Sequence, residues 1–212
     1  MVNTHIELLM QRYPVLSVCR VDIEAACENL ISCYEQEGKL LLCGNGGSCA
    51  DSDHIAGELL KGFLKKRPLS AEQIASMQAS CPTLSPHLLE KLQGGLPAIP
   101  LTAMAAMFTA FCNDVDPELV YAQQVLALGK PGDVLIGIST SGNAKNVAAA
   151  AKVAKGLGAT VIGLTGRDGG VLKELADICI CVPETETYKV QELHLPAYHC
   201  LCAAVEEHFF DQ

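Results

Sequence analysis

No apolar run in this chain approaches the length of a membrane span, and the longest stretches are short and end in Gly, Ser or Thr, as buried strands do. The N-terminus, MVNTHIELLMQRYP, mixes charged and polar residues with apolar ones and lacks the continuous apolar region of a secretory leader. Low-complexity runs are missing and only 18% of residues are charged, which argues against wholesale disorder. Basic charge is the scarcer sign: 15 Lys and Arg face 24 Asp and Glu, for a net charge of −9 and a pI of about 5.1. Such an acidic surface repels polyanions and argues against nucleic acid as the main partner. A small anionic ligand is still admissible, because backbone N–H groups and hydroxyls can hold a phosphate in a local pocket. The Walker Lys loop and the G-x-G-x-x-G pattern are both absent, which disfavours nucleotide cofactors. The eleven cysteines are odd in number and contain no C-x-x-C pair. They read as small buried hydrophobes in a reducing cytoplasm, not as a disulfide framework or metal cluster.

What is present suits one domain with one well-buried core: 212 residues, half of them hydrophobic. The first 37 residues read as helical, with Ile6, Leu8, Leu9 and then Ile23, Ala26, Leu30, Ile31 and Tyr34 at helical spacing, and Gly38 as the stop. KLLLC is a short strand running into a Gly-rich turn, and a helix follows from Ser48 to about Leu64. Residues 69–94 carry two short helices broken by Pro and Gly, an excursion from the core fold. Strands are then expected over 96–102, 133–139, 159–166 and 177–183. Helices are expected from Ala103, Pro117, the SGN at 141–143 and Gly170, with a last one from about Thr185 to Phe210. Five short apolar strands separated by helices imply βαβ units, hence an α/β fold with a parallel sheet covered on both faces. In such sheets ligands bind beyond the carboxyl ends of the strands.

Two strand-to-helix loops stand at such positions. Gly44-Asn45-Gly46-Gly47-Ser48 lets the backbone approach a ligand closely and ends at a helix N-terminus, although a plain tight turn capped by Ser48 fits the same residues. Ser139-Thr140-Ser141-Gly142-Asn143 offers three successive hydroxyls beside helix-start N–H groups, which suits a phosphate monoester. Capping explains one of those hydroxyls, not three. His54 and Glu58 share a helix face at i, i+4. They could bind a metal, set a base beside an orienting imidazole, or form a surface pair. On the last helix Gln191 and His199 are two turns apart and offset by roughly 80°, so both could reach one pocket from adjoining faces. His194 reads as a packing or hydrogen-bonding residue and His208 as solvated.

The ordered set GNGGS, H-x-x-x-E, ND, ISTSGN, LTG-x-x-GG and QE-x-H resembles the sugar isomerase (SIS) family over nearly the whole chain, the 69–94 segment excepted. The nearest look is to phosphoheptose isomerases, which interconvert sedoheptulose 7-phosphate and a mannoheptose 7-phosphate. The resemblance implies a single SIS domain over 1–212, built as a flavodoxin-like three-layer αβα sandwich with a five-stranded parallel sheet. It implies that Asn45, Gly46 and Gly47 line the sugar and that Ser48, Ser139, Thr140 and Ser141 hold the phosphate. Asn113 and Asp114 would contact substrate from the loop after the second strand. His54, Glu58, Gln191 and His199 match the family's zinc-binding and catalytic set, with one zinc per site. Glu58 and Gln191 would also touch substrate, and Glu58 and His199 would act as base and acid. Family members are commonly tetramers with sites between subunits. Ala144, Tyr188 and Gly62 depart from the pattern and bear on the identity of the sugar. Competing expectations are a non-catalytic SIS protein that binds a phosphosugar or a replication initiator, and a sugar-phosphate lyase or etherase. The binding relative lacks the acid and the second histidine, both present here as Glu58 and His199.

Overall fold

A computed structural model describes residues 2–210 of the chain. Its order is α1 (Val2–Arg12), a 3-10 turn (Pro14–Cys19), α2 (Arg20–Glu35), β1 (Leu40–Gly44), α3 (Gly47–Leu60), α4 (Ala71–Ser80), α5 (Pro86–Lys91), β2 (Ala98–Pro100) and α6 (Ala105–Asp114). A second 3-10 turn (Pro117–Leu119) leads into α7 (Val120–Leu128), β3 (Val134–Ser139), α8 (Lys145–Gly156), β4 (Thr160–Thr165), α9 (Gly170–Leu175), β5 (Ile178–Cys181) and α10 (Thr187–Phe210).

All five strands pair in parallel, in the order β2-β1-β3-β4-β5. Side chains alternate across each strand, so the sheet feeds two cores. Leu40 and Leu42 of β1 join Ile136 and Ile138 of β3 under α1, α2, α3 and α10. Leu41 and Cys43 face the other way, with Leu135 and Val161, against Val120 and Val125 of α7 and Ala150, Ala151 and Ala154 of α8. Small alanines let α8 approach the sheet closely. The strand order reverses between β1 and β3, and the loops after those strands flank this switch point, where the crevice of an open α/β sheet lies.

Several boundaries differ from expectation. Helix α3 ends at Leu60, not near Leu64, because the Glu206 carboxylate on α10 accepts the backbone N–H groups of Phe63, Leu64 and Lys65 and holds that segment as a turn. The 141–143 segment is a turn, and α8 begins only at Lys145. Asn113 and Asp114 are the last two residues of α6, not loop residues. Leu8 points outward at 50% exposure, whereas Ile6 and Leu9 are buried. In the excursion, α4 starts on a capping box of Ser70 and Gln73 and α5 on a Ser85 cap.

Candidate active site

The first loop turns at Gly46, whose φ of 57° favours glycine. A Cβ on Gly47 would strike the Gln191 carboxamide, so only glycine lets α10 pass this close. Asn45 exchanges two hydrogen bonds with Asn146 at the start of α8, at 2.9 and 3.0 Å, and these tie the two loops to each other. The Tyr121 hydroxyl donates to the Gly44 carbonyl at 2.6 Å and braces the turn from α7. Ser48 is buried at the first turn of α3.

In the second loop, Gly142 sits at φ 69°, and a Cβ there would collide with the Gly169 carbonyl. Ser139 Oγ accepts from the Ala144 N–H at 3.4 Å and Ser141 Oγ from the Asn143 N–H at 3.2 Å. Both hydroxyls therefore keep a proton to donate outward. Asn143 fastens the loop to α9, accepting the Val171 N–H at 3.1 Å. Ser139 is buried, Thr140 half-buried and Ser141 exposed, so the hydroxyls grade from the sheet toward solvent.

The helices α3 and α10 lie side by side with the same polarity, as paired contacts show: Gly47 with Gln191, His54 with Tyr198 and His199, and the end of α3 with Glu206 through Arg67. Arg67 is fully buried, donating to Glu206 Oε1 at 2.8 Å and to the Leu59 and Glu58 carbonyls that end α3. Between these ends His54 Nε2 lies 3.0 Å from Glu58 Oε1 and 3.4 Å from His199 Nε2. One donor atom from each of the three residues falls within a 4.8 Å cluster. Glu58 Oε2 also accepts from Lys61 Nζ at 3.2 Å. His199 is held below the usual imidazole range, first by burial and then by the neighbouring His54, with Glu58 opposing.

Three of the four residues expected in the metal set thus converge. Gln191 stands eight residues from His199, about 12 Å of helical rise, against the first loop. The described side-chain contact of Asn113 is to Asp114 Oδ1 at 2.8 Å. Sequence reasoning passed over Asp51, Tyr198, Arg67, Glu206, Asn146 and Tyr121. Asp51 shares the His54 face at i, i+3 and was legible in principle. The others meet the site only across long stretches of chain. Tyr198 O–H donates to Asp51 Oδ1 at 3.3 Å and lies 2.9 Å from His54 Nδ1. Burial raises the Asp51 carboxyl, while the Tyr198 hydrogen bond and His54 pull it down.

Two imidazole nitrogens and a carboxylate oxygen make a donor set that suits zinc. His54, Glu58 and His199 would hold it.

A parallel sheet with hydroxyl- and glycine-rich loops at its switch point, beside a His-Glu-His cluster, defines a phosphosugar-handling domain of the SIS class. Comparison agrees: SIS domain families match residues 102–204 and 16–99. The phosphoheptose isomerase of Roseiflexus sp. (strain RS-1) is 40% identical over 190 residues, 90% of this chain and 83% of that protein. Solved phosphoheptose isomerases from Neisseria gonorrhoeae and Francisella tularensis superpose with TM-scores of 0.74 and 0.76. They are 32% and 31% identical, and each comparison spans 97% of this chain and 97% or 96% of the other. The chain belongs to the phosphoheptose isomerase family of SIS-domain proteins.

Proposed function

We propose that the chain interconverts sedoheptulose 7-phosphate and D-glycero-D-manno-heptose 7-phosphate. The chain is a sugar-phosphate isomerase, in keeping with the family to which it belongs. The observation that carries the mechanism is the convergence of Glu58, His54 and His199 beside two loops fit for a phosphosugar. Ser48, Ser139, Thr140 and Ser141 anchor the phosphate, with N–H groups at the start of α3 adding to the field. Asn45, Gly46, Gly47 and Gln191 line the sugar, and Asn113 and Asp114 complete its contacts.

Isomerisation moves one proton between C1 and C2. Glu58 takes the C1 proton of the ketose as the C2 carbonyl oxygen gains one from His199, giving a cis-enediol. Returning the proton to C2 while the C1 hydroxyl gives its own back to His199 yields the aldose, so each group ends as it began. His54, Glu58 and His199 would hold a zinc ion, which would supply Lewis-acid polarisation of the carbonyl. Gln191, which family likeness adds to the metal set, stands against the first loop, about 12 Å of helical rise from His199, and serves as a sugar contact. A ligated carboxylate is a weaker base, so metal and proton compete for Glu58.

A binding-only role has no use for this cluster. A reducing cytoplasm is the compartment that an odd cysteine count without C-x-x-C pairs suits. Among the described residues no helix is long and apolar enough to cross a membrane. A homotetramer with sites between subunits and a single SIS domain over 1–212 carry over from the family, whereas the helical insertion at 69–94 lies outside that likeness.

The test is turnover of sedoheptulose 7-phosphate by the purified chain, with Glu58→Gln beside it. Aldose should form with the native chain, and kcat should fall roughly 10²–10⁴-fold in the variant. Unchanged turnover would remove Glu58 from the mechanism.

A further inference from the structure

His54 meets the cluster through Nε2, and its other ring nitrogen is also engaged. The Tyr198 hydroxyl lies 2.9 Å from Nδ1 and donates to Asp51 Oδ1 at 3.3 Å. Tyr198 is 1% exposed, and its ring packs edge-on against the His54 ring with centroids 5.5 Å apart. Asp51 Oδ2 is buried with no partner, so the hydroxyl is the donor the structure gives this carboxyl group.

A phenol has one proton to give, and an ionised carboxylate only accepts. If that proton goes to Asp51, the phenol oxygen accepts from His54, and Nδ1 must carry the imidazole hydrogen. The lone pair is then left on Nε2. In the opposite arrangement Tyr198 donates to Nδ1. Nε2–H would then donate to Glu58 Oε1 across their 3.0 Å separation, closing that atom to a cation, and Asp51 would lose its donor; the first arrangement leaves the same two atoms free to share a cation.

We propose that Asp51 and Tyr198 are positioning residues that fix His54 with its proton on Nδ1, turning the Nε2 lone pair toward Glu58 and His199 as a zinc ligand. The inference rests on the isomerase reading of the cluster and adds to it the residues that select the ligating atom. Partners behind a ligating imidazole of this kind are worth 10–100-fold in metal affinity.

The experiment uses the full chain, stripped of metal, with Tyr198→Phe and Asp51→Asn. Phe keeps the buried ring, and circular dichroism and melting check that each variant folds. Nitrogen-15 spectra of the histidine rings, recorded above the imidazole titration, locate the His54 proton. Competition with a chromophoric chelator gives the zinc Kd. In the native chain the proton should sit on Nδ1. Tyr198→Phe should release that preference and weaken zinc 10–100-fold, with Asp51→Asn falling between. Excess zinc should restore kcat in Tyr198→Phe at an unchanged KM. A native His54 protonated on Nε2, or a zinc Kd in Tyr198→Phe within twofold of native, overturns the proposal. A native chain that binds no zinc defeats the metal half of the proposed function, and the ring spectra then decide the positioning role by themselves.

Discussion

His194 and His199 lie five residues apart on one helix and serve opposite ends. His199 reaches the cluster. His194 is wholly buried and donates from Nε2 to the Thr165 carbonyl at 3.2 Å, while its Nδ1 has no partner. Burial pushes its pKa down to about 4. A depressed imidazole pKa means the unfolded chain takes up a proton that the native chain refuses. Between pH 6.5 and 4 the unfolded state therefore binds more protons, and stability rises with pH. At and above neutral pH this term is absent. Acidification through that window should cost on the order of 3 kcal/mol from this residue. His194→Leu removes the titration and one hydrogen bond worth about 1 kcal/mol. The Thr165 carbonyl keeps the Val182 N–H at 2.9 Å. Denaturant titrations should show the variant slightly weaker at pH 7.5 and flatter between pH 6.5 and 4. An unchanged slope would assign the acid sensitivity elsewhere.

At the scale of elements, the site is a matter of how α3 lies on α10. Most strands and helices were legible because their signals are local: apolar runs of about five residues, Gly or Ser at the strand ends, helical spacing between. The seating of α3 was not. Its stop depends on Glu206, more than 140 residues away in sequence, and Tyr198 reaches Asp51 from a similar distance. The Asn113-Asp114 pair misled for a local reason. Their dipeptide looks like a turn, yet AAMFTAFC before it keeps α6 going to Asp114. The Glu206 carboxylate accepts three backbone N–H groups and pairs with a fully buried Arg67. Glu206→Gln would leave Arg67 charged and unmatched, and breaking such a pair costs about 3–5 kcal/mol. For a chain of this length that is roughly 10 °C in melting midpoint. Amide exchange at residues 63–65 should speed up in the same variant. A melt within 2 °C of native would show that the pair contributes no net stability.

Across the whole molecule, the five parallel strands could be counted from sequence, but their order could not. No local signal says that β1 lies between β2 and β3, which is what brings the two loops to one crevice. The 69–94 segment was visible as an excursion, and the structure shows how loosely the domain depends on it. Helix α4 buries no residue and α5 only Leu89. The ends are clasped independently of both helices: Pro68 bridges Gln93, the Gly94 N–H donates to the Arg67 carbonyl at 2.7 Å, and Gln93 Oε1 accepts the Gly62 N–H at 2.8 Å. An antiparallel bridge accepts a two-residue Asn-Gly turn. Replacing residues 69–92 with that turn should therefore cost little more than the burial of one leucine, about 2 kcal/mol. His54, Glu58 and His199 stay on untouched helices, so zinc affinity should also stay within a few fold. Thermal melting and chelator competition on the shortened chain check both. Loss of the folded state would make the segment part of the core. A stable chain with native zinc affinity but a raised KM would place the segment over the substrate.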